Sequence, residues 1–181
     1  MSANGAQSHP QAEAREAQTT SVGPTHSRTL ARLVQGKNIN EKTLLATDYL
    51  NHFNEIIMLL ELIPDMPDCL EDAKAWRPKS YVEHFRDSSF EEKELAVLAY
   101  ENAPPRFRAP FDSAIATMDD LVFRAIGNIE SALQSGNNDL LADTVATATA
   151  NLRRLVDVAS AIIHGDEITL DQKEIDSILN V

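Results

Sequence analysis

Residues 111–165 have the sequence FDSAIATMDDLVFRAIGNIESALQSGNNDLLADTVATATANLRRLVDVASAIIHG, which contains two matched apolar seams. Within each seam, apolar residues recur at alternating spacings of four and three, as on one face of an α-helix. The first seam comprises Phe111, Ile115, Met118, Val122, Ala125, Ile129 and Ala132. The second comprises Leu141, Val145, Ala148, Leu152, Leu155, Ala159 and Ile162. With Gly136 as a helix stop between them, they predict an antiparallel hairpin with arms of roughly 25 residues.

A further apolar stripe lies upstream and predicts a helix from about Glu41 to Ile63, ended by Pro64. Short helices are expected between residues 66 and 87, and Ser89 with Glu92 forms a candidate capping box for another. Three prolines at positions 104, 105 and 110 predict a bent, extended connection before the hairpin. The upstream stripe comprises Leu45, Tyr49, Phe53, Ile56, Leu60 and Ile63.

These patterns predict an all-α fold, a four-helix-like bundle built on the long hairpin. Residues 1–36 are rich in small polar residues and are expected to be a disordered tail, because they cannot bury enough apolar surface. Residues 37–165 are the predicted helical bundle domain. Residues 166–181 are predicted to be an acidic tether followed by a C-terminal docking helix.

The composition restricts the function. The 181-residue chain has a net charge of −12, which argues against nucleic acid and against an anionic membrane surface as partners. A single cysteine, Cys69, suits a reducing compartment, and neither a signal peptide nor a membrane-spanning run is recognised. A cytoplasmic location is therefore expected. Without a phosphate-binding glycine loop or a metal-binding spacing, no cofactor and no metal are predicted.

The C-terminal segment LDQKEIDSILNV, residues 170–181, has its own helix-start signals. Asp171 is a candidate N-cap and Glu174 can close a capping box with it. Leu170 and Ile175 are spaced for a hydrophobic staple. The apolar edge of the helix comprises Ile175, Ile178 and Leu179. A helix this short is marginal alone, so the segment is expected to dock on another surface.

This segment resembles the N-terminal peptide of the bacterial flagellar motor switch protein, which binds the phosphorylated chemotaxis response regulator. Similar segments end other chemotaxis proteins. It departs in having Asp171 where Ser is usual and in lying at the C-terminus. In the alternative, the tail packs on its own bundle or on a second subunit. The resemblance implies regulator binding by Leu170, Gln172, Glu174, Ile175, Asp176, Ile178 and Leu179.

A polar cluster interrupts the first predicted helix. Asp48, His52 and Glu55 share one face with Asn51 at its border, and the two acids are expected to raise the pKa of His52. The spacing of Asp48 to Asn51 or His52 resembles the helical motif of response-regulator phosphatases. There the acid positions a basic residue and the amide or imidazole orients water. The alternatives are a phosphoryl-accepting His52, a metal site on Asp48, His52 and Glu55, and a solvated helix face.

A second candidate feature is the aromatic and basic segment between Trp76 and Arg86. It suits either a cap over one end of the bundle or a binding patch for an anionic ligand.

Together these features predict an accessory protein of bacterial chemotaxis or two-component signalling that binds a phosphorylated response regulator through its C-terminal helix. Any catalysis is expected to be removal of the aspartyl phosphate by Asp48, Asn51 and His52, although a non-enzymatic binding protein is favoured. The alternative is a structural or scaffolding bundle, a homodimer whose tail packs on itself.

Overall fold

The computed structural model describes residues 24–166, and the side chains of residues 28–166. This part of the chain is helical and contains no strand, which confirms the predicted all-α class. It consists of seven α-helices and a 3-10 helix at Thr47–Leu50. The α-helices are α1 (Pro24–Leu33), α2 (Asn51–Leu62), α3 (Cys69–Ala75), α4 (Tyr81–Asp87), α5 (Lys93–Glu101), α6 (Pro105–Gln134) and α7 (Asn138–His164).

The two long helices, α6 and α7, pack against each other and are joined by residues 135–137. Gly136 takes the left-handed conformation, with φ of 68°. The Asn137 side chain accepts a hydrogen bond of 3.0 Å from the Leu140 backbone and so caps α7. The predicted seam residues are buried, except Ile115, which is partly buried against the core. The alternating spacing therefore identified the faces that meet.

The helix predicted from Glu41 begins only at Asn51, and this part of the prediction is wrong. Residues 40–46 instead form a loop in which the buried Leu44 has a positive φ of 62°. Residues 40–46 form a loop and not a helix because long-range hydrogen bonds join them to the end of α7. The Thr43 hydroxyl donates to the Ile163 carbonyl at 2.6 Å, and the Lys42 ammonium donates to the Gly165 carbonyl at 2.6 Å.

The proline-rich connection is also helical, contrary to expectation. Pro104 is the N-cap of α6, Pro105 is its first residue and Pro110 lies inside it. Pro105 is tolerated because the first helical N–H groups have no intrahelical acceptor.

The N-terminal prediction needs a correction within the described residues. Residues 24–33, expected to be disordered, form α1. Leu30 of this helix and Val34 and Ile39, which follow it, are buried in the core. Burial of these side chains offsets the entropy of ordering them. Residues 1–23 and 167–181 lie outside the described part of the chain, and so do the predicted docking helix and its partner-binding residues.

The remaining helices are shorter than the hairpin arms. The α2 helix packs on α7 and on α3, while α4 packs on α5. A capping box closes the start of α4, between Ser80 and Glu83, and not the start of α5, where Ser89 and Glu92 had been the candidate pair. The four-helix-like arrangement stays a prediction.

Candidate functional site

An open cleft with a volume of about 630 Å³ contains all three predicted catalytic residues. One wall is formed by the 3-10 helix and the start of α2. The other walls are formed by Lys79, by α4 and by the loop that follows α4. The lining residues are Asp48, Asn51, His52, Glu55, Lys79, His84, Asp87, Ser88, Ser89, Phe90, Glu91 and Glu92.

Asp48 and Asn51 form the accessible part of the predicted constellation. Asp48 is half-buried and its carboxylate accepts a hydrogen bond from the Asn38 side chain, while Asn51 is exposed. Both residues also line a neighbouring cavity of about 350 Å³, whose other wall includes Val156 and Ser160 of α7. Asp48 and Asn51 therefore line both cavities, and a docking protein can reach them from the surface.

His52 differs from the prediction in both exposure and charge. It is only 7% exposed, and its ring stacks on Trp76 with centroids 4.9 Å apart. Burial lowers the pKa of His52 to about 4, with His84 acting in the same direction and a hydrogen bond to the Arg77 backbone opposing it. The expected rise in pKa is wrong, because removal of the ring from water disfavours its charged form and His84 adds to this effect. His52 is therefore a neutral imidazole at pH 7.

His84 is a cleft residue that the sequence did not single out. Burial lowers its pKa, although a hydrogen bond to the backbone of Asp48 opposes the change. Its ring lies edge-on to Tyr49 at 5.3 Å between centroids. The capping box at Ser80 and Glu83 was the available signal, because it fixes the start of α4 and so the face on which His84 lies.

Carboxylates outnumber cations among the lining residues. Lys79 pairs with Asp87 at 2.9 Å, and Lys37, outside the cleft, pairs with Glu92 at 2.7 Å. Glu55 and Glu91 add further negative charge. This balance suits a cationic side chain of a partner and disfavours a phosphoryl group on His52.

The metal hypothesis finds no support in the geometry. Within residues 24–166, no three His, Cys, Asp or Glu side chains are grouped closely enough to hold a metal ion. Asp48, His52 and Glu55 line the same cleft, but among the described residues they do not form such a group. The buried imidazole nitrogen Nε2 of His52 has no hydrogen-bond partner among the described residues.

The aromatic and basic segment lies beside this cleft with its rings inward. Tyr81 and Phe85 are buried, and Trp76 is partly buried between His52 and Phe123. Its basic residues Arg77 and Arg86 are exposed. A cap over the bundle requires this arrangement, in which the rings are buried and the cationic groups face the solvent.

Comparisons of the chain with protein-family models, with curated proteins and with solved structures found no match. In the part of the chain that the structure describes, every helix is too short or too polar to cross a bilayer. Function is therefore inferred from the residues of the cleft and from the resemblance of the C-terminal segment.

Proposed function

We propose that this protein is a cytoplasmic accessory protein of bacterial chemotaxis or two-component signalling, and that residues 170–179 bind a phosphorylated response regulator. The observation that carries the proposal is the C-terminal segment itself. Its sequence combines predicted helix-start signals and apolar residues at helical spacing with a resemblance to the regulator-binding peptide of the flagellar motor switch protein.

The end of α7 supports a detachable role for this segment. Gly165 terminates the helix in the left-handed conformation, with φ of 84°. The last carbonyls accept hydrogen bonds from Thr43 and Lys42, which belong to the body of the protein. The α7 helix thus ends before the segment begins, and residues 166–169 are the predicted tether between the two.

The expected affinity is modest. Ile175, Ile178 and Leu179 contribute about 1.5–3 kcal/mol each if fully buried, before the costs of association and of ordering the peptide. The net affinity is then on the order of micromolar. Phosphorylation strengthens binding by favouring the conformation of the regulator that accepts the helix.

Dephosphorylation of the regulator is a secondary hypothesis. Asp48 and Asn51 face open cavities, and the acidic cleft suits a basic residue of the partner. Because His52 is buried, orientation of the water would fall to the Asn51 amide. The Asp48→Ala and Asn51→Ala variants are therefore expected to slow regulator dephosphorylation at least about tenfold. Unchanged kinetics in both would eliminate this role.

A scaffolding homodimer is the alternative function, and one observation favours it. Met58 and Leu62, four residues apart on α2, are 63% and 45% exposed, and Met66 in the turn after α2 is 53% exposed. Exposed apolar side chains grouped along the chain in this way suit contact with a second subunit. The helical bundle would then be the scaffold, and the tail would stabilise it.

Titration of a chemotaxis response regulator, held in its phosphorylated-like state by beryllium fluoride, separates the two functions. The full chain and a chain ending at Gly165 are compared by calorimetry. Regulator docking predicts binding by the full chain alone and identical thermal stability and oligomeric state for the two chains. Scaffolding predicts no regulator binding, with a loss of stability or a change of oligomeric state on truncation.

A further inference from the structure

We infer that the outward side of α2 and the turn after it form a docking surface for a basic amphipathic helix of a partner protein. This surface, the methionine face, consists of the exposed side chains of Met58, Leu62 and Met66. It is separate from the cleft that holds Asp48 and from the C-terminal segment, so the inference goes beyond the proposed function.

The three side chains of the methionine face follow one another along the chain at helical spacing. Met58 and Leu62 are four residues apart on α2, so they lie one above the other on the same side of the helix. The backbone N–H of Met66 donates to the Leu62 carbonyl at 2.8 Å, which holds the turn against the end of α2. At 1.5 Å per residue, the face extends for roughly 12 Å, or about two helical turns.

The opposite side of α2 is already buried in the protein. Phe53, Ile57 and Leu60 are fully buried, and α2 packs on α3 and α7. Residues 56–60 are apolar without interruption, and a helix that is apolar all round is normally buried all round. Residues 24–166 leave the methionine face exposed, so its cover is expected from another molecule.

The segments of the chain outside residues 24–166 are unsuitable covers. Residues 1–23 contain no leucine, isoleucine or phenylalanine, so they offer few apolar side chains for such a face. Residues 167–181 carry four acids and one lysine. Their negative charge opposes docking on a surface that is itself acidic.

The acids around the methionine face select the partner by charge. Residues 43–73 contain seven acids and no lysine or arginine. Among these acids, Glu55 and Asp65 are exposed and lie within three residues of a side chain of the face. Glu61 is paired with Arg153 of α7 at 2.8 Å. A second copy of the chain would bring these acids against each other, whereas a segment bordered by lysine or arginine places opposite charges together.

The shape of the face fits a helix. A row of apolar side chains two turns long accepts the apolar side chains that recur every three or four residues along an amphipathic helix. Methionine is unbranched and flexible, so Met58 and Met66 can adapt to different apolar side chains of the partner. Lysine or arginine residues beside the apolar row of the partner then face Glu55 and Asp65.

The test is fluorescence anisotropy of a labelled helical peptide of leucine and lysine, about 14 residues long, titrated with the full chain. The comparison peptide has glutamate in place of every lysine. Saturable binding is expected for the lysine peptide alone, and its affinity should fall as sodium chloride is raised from about 50 to about 300 mM. No response regulator is present, so the result does not depend on the proposed function.

Two leucines of nearly equal exposure provide matched variants. Leu62 is 45% exposed, and Leu98, on α5, is 44% exposed. Leu62→Gln keeps the net charge and should weaken binding of the lysine peptide at least about fivefold, whereas Leu98→Gln should change it less than about twofold. Met58→Gln should repeat the loss, which guards against a fold defect in Leu62→Gln, and Met58→Leu should keep the affinity of the parent chain.

Three outcomes overturn the inference. In the first, Leu62→Gln and Met58→Gln bind the lysine peptide as tightly as the parent chain, which means that charge elsewhere on the protein holds the peptide. In the second, the glutamate peptide binds as tightly as the lysine peptide. In the third, analytical ultracentrifugation shows a dimer that Leu62→Gln converts to a monomer, because a second copy of the chain then occupies the face.

Discussion

Replacement of Asp119 by Asn is expected to stabilise the protein at neutral pH. Burial raises the pKa of Asp119 from 3.8 to about 6, and the neighbouring Asp120 adds to the rise. At 1.36 kcal/mol per pKa unit this corresponds to about 3 kcal/mol. Because the carboxyl group is partly solvated, screening reduces the expected gain to on the order of 1–2 kcal/mol.

The effect should depend on pH in a defined direction. A raised pKa means that the folded chain holds a proton on Asp119 more tightly than the unfolded chain does. The contribution of Asp119 to stability is therefore present below about pH 4 and is lost as the pH rises to about 6. Above that window the loss is complete. Asp119→Asn should abolish this part of the pH dependence.

Urea denaturation at several pH values between 4.5 and 7.5 measures the difference between variant and parent. The gain in unfolding free energy should grow with pH across this range and level off above about pH 6. Asp120→Asn, on the exposed side of α6, is the matched control and should shift stability by no more than about 0.5 kcal/mol. A destabilised Asp119→Asn, or a gain that does not vary with pH, would refute the reasoning.

Further predictions concern the two long helices and the cleft. Gly165→Ala should destabilise by about 1 kcal/mol or more, because φ is 84° and the new Cβ would lie 2.9 Å from Lys42. Gly127→Ala, with nothing within 4 Å in the middle of α6, should instead stabilise by about 0.5–1 kcal/mol, and thermal unfolding compares the two. Thr43→Val leaves a buried α7 carbonyl without its donor and should cost about 1–3 kcal/mol in denaturant unfolding, whereas a change below about 0.3 kcal/mol would contradict that role. NMR titration should give His52 a midpoint near pH 4, so stability falls as pH drops from about 6.5 toward 4, and a midpoint above 6.5 would contradict its burial.

The periodic elements of the fold were predictable from sequence. The seams of α6 and α7 were identified because their apolar residues recur along a single helix face, and that face is buried. The stripe from Leu45 to Ile63 is buried as well, although its first part is loop and 3-10 helix. Periodicity thus predicts which side chains enter the core more securely than it predicts the backbone conformation that carries them.

The loop before α2 was not predictable, because its causes are distant in sequence. The hydrogen bond from Thr43 to Ile163 joins residues 120 positions apart. Leu44 has a positive φ, which a leucine adopts only when the surrounding structure requires it. Local propensity contains no information about either contact.

The candidate site was predictable only in part, because some of its contacts are local and others join residues distant in sequence. Helical spacing placed Asp48, Asn51 and His52 together, and they line one cleft. The spacing did not indicate that Trp76 covers His52, or that His84 reaches the backbone of Asp48. Both contacts depend on how the short helices α3 and α4 pack on the body of the protein.

Regulator docking by residues 170–179 is tested most directly by two single substitutions in the full chain. Ile178→Asp places a charge on the predicted apolar edge of the segment, and Ser177→Asp places the same charge on its predicted polar face. Titrated with the beryllium fluoride-activated regulator, Ile178→Asp should lose at least about tenfold in affinity, and Ser177→Asp should keep the affinity of the parent chain. Equal affinity for the two variants would contradict docking through the predicted helix.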